Sequence, residues 1–217
     1  MTYCVGIKVN DGMVFASDRR TNAGLDNFNS YTKMYVHKGV DRNIVILTSG
    51  NLATSQAVFN SIGKDLEDPT NGNNLNNLYN MNEIAKYIGR LTVMHSSPDG
   101  FNQEMVELGS TFILGGHIQS QEQELYLIYP QGNFIKTSET KPYLVIGEIK
   151  YGKPILDRVV KSETDLGDAT RCALISMDST MKADLSVGPP IDVLVYKNSL
   201  SKVVYLQSLE VDNPDYQ

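Results

Sequence analysis

A chain of 217 residues with 41% apolar content and no internal linker suffices for one sizeable core, so a single domain over residues 1–217 is expected, its tail polar from about residue 210. The net charge of −6 argues against nucleic-acid or anionic-lipid partners, and no apolar run approaches the ~20 residues of a membrane span. The N-terminus lacks a basic stretch followed by an apolar one, so a cytoplasmic location is expected.

The chain opens on an alternating run. Tyr3, Val5, Ile7 and Val9 share one face, and Thr2, Cys4, Gly6 and Lys8 the other. Asn10-Asp11-Gly12 then marks a hairpin turn before a second strand, Met13 to Asp18. A three-residue loop would set Val9 against Met13 and Thr2 against Arg20, making Thr2 and Asp18 diagonal neighbours; an Asp-Gly loop would bring Arg19 and Thr21 to that face instead. Turn chemistry allows both.

Tyr31 to His37 reads as a short strand, Lys38-Gly39 as a turn, and Asn43 to Thr48 as a buried strand. Gly50 opens a helix reaching about Leu66. Glu67 to Asn80, rich in Asn and Gly, reads as an exposed loop. Met81, Ile84, Ile88, Leu91 and His95 form the apolar stripe of a second helix, closed by Ser96-Ser97-Pro98-Asp99-Gly100. Strands follow at Thr111 to Leu114, Glu124 to Tyr129, Phe134 to Lys136 and Tyr143 to Ile146. Helices are expected over Gly152 to Val160 and Asp165 to about Met181, and final strands over Ile191 to Tyr196 and Val203 to Leu206. This order supports an α+β fold with a mainly antiparallel sheet.

Cys4 and Cys172 lie far apart within predicted elements and read as buried apolar residues rather than a disulfide. His37, His95 and His117 lack metal-ligand spacing, so neither a metal nor a cofactor is expected.

The first two residues carry the chemistry. An initiator Met before a small residue is normally removed, which would leave Thr2 with a hydroxyl and a free α-amine on one residue. Such a pair can serve as nucleophile and base together, because an α-amine has a reference pKa of roughly 7.7–8.0. A nearby ammonium would lower that value and a carboxylate would hold the ammonium in place; Lys33 and Asp18 are the candidates. Gly50 precedes a helix, where a backbone N–H can approach a developing oxyanion, although a turn alone also accounts for a glycine there.

The ordered set Thr2, Asp18, Arg20, Gly24, Lys33, Gly50 resembles the proteasome β-subunit group of N-terminal-nucleophile hydrolases. Thr-Tyr-Cys-Val-Gly-Ile, Phe-Ala-Ser-Asp, Arg-Thr-Asn-Ala-Gly and the late Ser-Val-Gly-Pro-Pro-Ile-Asp are similar to the Anbu, or ancestral β-subunit, branch. The resemblance runs from Thr2 to about Tyr196. It implies an αββα four-layer sandwich and a threonine peptidase with Thr2, Asp18 and Lys33 as the catalytic trio. It further implies Gly50, Thr21 and Asn22 at the oxyanion and substrate, with support from Arg20 and from an Asp/Ser pair. Asp178 and Ser179 match that pair, with Asp184 and Ser186 as rivals. A supporting Ser-Gly of the family is replaced here by Gly147-Glu148-Ile149-Lys150-Tyr151-Gly152.

The resemblance implies a homo-oligomeric ring or open helical ring acting on peptide or protein, and leaves an ATP-dependent unfoldase open. Two other readings accompany it: an amidase for a specialised small amide or peptide linkage, and a non-hydrolytic ring or scaffold subunit that retains the fold.

Overall fold

The computed structural model describes residues 2–22, 28–68, 70–96, 108–119, 121–198 and 202–210. The chain forms two compact units, one from residues 1–34 with 137–217 and the other from residues 35–136. Met1, Gly24, the expected stop of the second helix beyond Ser96, and the tail beyond Glu210 lie outside the described residues.

In the discontinuous unit, β1 (Tyr3–Val9) and β2 (Gly12–Asp18) form the predicted hairpin. β3 (Arg20–Asn22) pairs with β4 (Phe28–Ser30) as a small separate ribbon. After the other unit the chain returns with β10 (Tyr143–Gly147), α3 (Lys153–Val159), α4 (Leu166–Ala183), β11 (Ile191–Lys197) and β12 (Lys202–Leu209). The sheet runs β10-β1-β2-β11-β12, antiparallel throughout. Tyr3, Val5, Ile7 and Val9 pack with Val14, Ala16 and Val193 against Leu156, Ala169, Ala173 and Met177 of the helices. The alternating face of β1 is thus the helix-covered face.

The hairpin register differs from both expected ones. Val9 stands opposite Gly12 and Cys4 opposite Ser17, so Asn10 and Asp11 alone make the turn. Gly12 is a strand residue with a packing reason for its identity: a Cβ there would lie 2.0 Å from the Tyr196 carbonyl oxygen of β11. The close backbone approach, not the turn, requires the glycine. Extending this register places Thr2 opposite Arg19 rather than Arg20, and sets Asp18 opposite Tyr3.

The second unit contains β5 (Met34–Lys38), β6 (Arg42–Gly50), α1 (Leu52–Glu67), α2 (Met81–Ser96), β7 (Ser110–Ile118), β8 (Glu124–Ile128) and β9 (Phe134–Lys136). Its sheet follows the order β5-β6-β7-β8-β9. Ile84, Ile88 and Leu91 of α2 join Ile44, Ile46, Phe112 and Leu114 in its core, as their helical spacing predicts. The stretch between the helices is less exposed than expected. Leu75 and Leu78 are buried, and Arg42 donates to both of their carbonyls, at 3.0 and 2.7 Å. No helix among the described residues is long and apolar enough to cross a membrane.

Candidate active site

Thr2 enters the sheet just before β1, and its carbonyl accepts the Glu148 amide at 2.7 Å. The next amide, that of Tyr3, donates to Asp18 Oδ1 at 3.1 Å. Lys33 Nζ reaches the same oxygen at 2.7 Å and also donates to the Arg20 carbonyl at 2.6 Å. Asp18 Oδ2 accepts the Gly188 amide at a longer 3.4 Å. Asp18 is 0% and Lys33 4% exposed, so the ion pair is withdrawn from water.

The local fold explains this convergence. The Arg19 amide donates to the Pro190 carbonyl and the Arg19 carbonyl accepts from the Tyr31 amide, which folds the segment ahead of β5 back beside the end of β2. Lys33 lies on that returning segment. Burial pushes the Asp18 carboxyl above its ordinary range, while the Lys33 ammonium and the amides of Tyr3 and Gly188 pull against it. The Cys4 thiol is also pushed up, by burial first and by Asp18 second, and therefore stays protonated at neutral pH.

Arg20 is seated by the loop after α4. Its Nη1 donates to the Leu185 carbonyl at 2.7 Å, and a Cβ at Gly188 would fall 2.3 Å from the Arg20 Cζ. In the same loop Ser186 donates to Asp184 Oδ1 through its amide at 2.8 Å and its hydroxyl at 2.6 Å. Asp184 Oδ2 is buried with no hydrogen-bond partner among the described residues. Burial opposes ionisation of Asp184, but the Ser186 hydrogen bonds leave its carboxyl below the ordinary range.

Asp178 and Ser179 make other contacts. Asp178 pairs with Lys182 at 2.7 Å on the exposed side of α4, and the Ser179 hydroxyl donates to the Tyr151 carbonyl at 3.5 Å. Thr21 donates to the Asn29 carbonyl at 3.0 Å, and Asn22 pairs through its backbone with Phe28. Gly50 ends β6 in the other unit. Its φ of 111° and the Gly109 carbonyl 2.5 Å from any added Cβ demand glycine whatever its chemical role. Just beyond it, Asn51 Oδ1 accepts the Thr54 amide at 3.1 Å and caps α1.

Sequence reasoning missed Glu148 as a neighbour of Thr2. Only the pairing of β1 with β10 brings the two together across 146 residues, and the one signal of it in the sequence is that Gly147-Glu148 stands where the resemblance implies a Ser-Gly supporting the nucleophile.

The chain matches the family model described as proteasome subunit over residues 2–196. It is similar to the solved Anbu (ancestral beta-subunit) from Yersinia bercovieri at 38% identity and TM-score 0.92, covering 99% of this chain and 89% of that one. It is similar to the chain of the helical assembly of the Anbu complex from Pseudomonas aeruginosa at 40% identity and TM-score 0.92, with the same coverage. Proteasome subunit beta 1 of Saccharolobus islandicus is 35% identical over 86 residues, 40% of this chain. The match spans about a third, 34%, of that curated relative's length.

Proposed function

This chain belongs to the proteasome subunit family, with the α+β fold of the N-terminal-nucleophile hydrolase type and homology to the Anbu branch, and we propose that it acts as a self-associating subunit. Its likeness to a chain described in a helical assembly supports that reading. Assembly asks nothing of Thr2, Asp18 or Lys33, so this subunit role stands without hydrolysis.

The buried Asp18–Lys33 pair supports a second role for the same subunit, hydrolysis of an amide bond at Thr2. A buried ion pair is seldom a net gain in stability, because removing two charges from water costs several kcal/mol per ion, so a scaffold has little use for one. Against the Tyr3 amide, one bond from Thr2, it has a chemical use. Once Thr2 is the terminal residue, its Oγ attacks the substrate carbonyl while the α-amine takes the hydroxyl proton. The amine then returns that proton to the leaving nitrogen, and water hydrolyses the resulting ester. Lys33 disfavours a second positive charge nearby and so keeps the amine available as a base; Asp18 holds Lys33 in place. Asp184 and Ser186, rather than Asp178 and Ser179, supply the supporting polar pair. Peptide or protein is the substrate class that fits this chemistry.

Two measurements on one preparation separate the roles. Intact mass before and after a threonine-directed epoxyketone, with Thr2→Ala as control, reads the nucleophile, since the probe closes a ring on both the hydroxyl and the free amine. Light scattering reads self-association. One adduct that Thr2→Ala abolishes establishes the hydrolase role. A large assembly without Met1 and without any adduct leaves the subunit role alone.

A further inference from the structure

Thr2 and Glu148 stand opposite each other at the end of the β1–β10 pair. Tyr3 faces Gly147, and the ladder continues one step, to the bond from the Glu148 amide to the Thr2 carbonyl. Directly opposed residues of an antiparallel pair project to one face, with Cβ atoms about 4.5–5.5 Å apart. Glu148 is 6% exposed, although Gly147 and Ile149 on either side of it are exposed. Its Oε1 accepts the Lys150 amide at 3.2 Å, and its Oε2 meets the Lys150 ammonium only at 4.0 Å, on a side chain 77% exposed. A carboxylate so far withdrawn from water calls for a closer cation than that.

We propose that Glu148 is a positioning residue for Thr2, its carboxylate holding the α-amine that removal of Met1 would expose. The inference rests on Thr2 being the terminal residue and does not require hydrolysis. The charged groups around the pair are Asp18 and Arg19 at the end of β2, Lys33 ahead of β5, Lys150 after β10 and Asp184 after α4. Asp18 is committed to Lys33, and Arg19 to Asp192 at 2.7 Å. Lys33 and Lys150 favour loss of the amine's proton, whereas Glu148 and Asp184 favour keeping it. Glu148 is the carboxylate one residue past β10, and its own amide pairs with the Thr2 carbonyl. It orients the amine and keeps more of it protonated at neutral pH, which moves any chemistry that uses the amine as a base toward alkaline pH.

The test measures the α-amine directly. The chain is released with Thr2 first by cleaving an N-terminal fusion. Trace acetic anhydride labelling across pH 6–10, read on the N-terminal peptide by mass spectrometry, then gives the amine pKa. Glu148→Gln should lower that pKa by about one unit and raise labelling at pH 7 by roughly four- to tenfold, the larger figure for the higher starting pKa. Lys150→Met, a change at an exposed side chain, should raise the pKa, and Glu148→Asp should fall between wild type and Glu148→Gln. If Glu148→Gln does not fold, Lys150→Met and Glu148→Asp carry the test. An amine pKa unmoved in the folded variants overturns the proposal. A shifted pKa in a protein that forms no epoxyketone adduct upholds it while the hydrolase role fails.

Discussion

Lys33 Nζ stands 2.7 Å from Asp18 Oδ1, and the same oxygen accepts the Tyr3 amide, so one buried carboxylate oxygen ties the returning segment to the first strand. Removing either partner strands the other charge away from water. Asp18→Ala or Lys33→Met is expected to destabilise the fold by about 3–5 kcal/mol, and the double variant by clearly less than the sum of the two. Chemical denaturation of the three proteins measures this; additive losses would mean that the pair is not coupled.

The two late Asp/Ser pairs give opposite expectations. Asp178 is bound to Lys182 in an exposed helical pair, so Asp178→Ala should change stability by no more than about 0.5 kcal/mol and leave the rate of epoxyketone adduct formation unchanged. Asp184→Ala removes the acceptor of both Ser186 hydrogen bonds in the loop that seats Arg20. Its adduct rate should fall at least about tenfold, the equivalent of roughly 1.4 kcal/mol. Time-resolved intact mass reads both variants.

Gly12 separates the observed hairpin from the expected ones. A methyl group there would meet the backbone of Tyr196, which cannot swing aside as a side chain can. Gly12→Ala should cost about 1–3 kcal/mol, and Asp11→Ala in the turn itself about 0.5 kcal/mol or less. Were Gly12 a turn residue, the ladder would shift and the Tyr196 contact would not govern the cost.

Tyr3 predicts the alkaline limb of stability. Burial is the largest cause raising its phenol from 10.0 to about 12, while its hydrogen bond with Ser176 at 3.1 Å works the other way. The folded chain therefore holds a proton that the unfolded chain releases above pH 10. Tyr3's contribution is fully present below pH 10 and is lost as pH rises through about 12, a span worth about 3 kcal/mol. Denaturation midpoints from pH 9 to pH 12 should fall less steeply in Tyr3→Phe than in the parent chain.

Most of the elements were legible in the sequence, since alternation in β1 and the three-and-four spacing of α2 each declare which face is buried, but the short β3–β4 ribbon was not. So was the candidate constellation: Thr2, Asp18 and Lys33 follow one another in an order that resembles the proteasome subunits. These are local or ordered features, readable without knowing what touches what. Register and loop placement were not legible. A two-residue and a three-residue turn at Asn10-Asp11-Gly12 satisfy the same turn chemistry, and only the approach of β11 to Gly12 selects between ladders. The candidates Asp178 and Asp184 lie on the same helix and its C-cap, and only the path of the following loop sets Asp184 and Ser186 beside the residues that reach Asp18 and Arg20. Glu148 faces Thr2 because β10 pairs with β1, a contact made by backbone hydrogen bonds that any residue can form. Side-chain chemistry was written in the sequence, whereas the backbone ladder that decides which side chains meet is nearly indifferent to sequence and is set only when the strands pack.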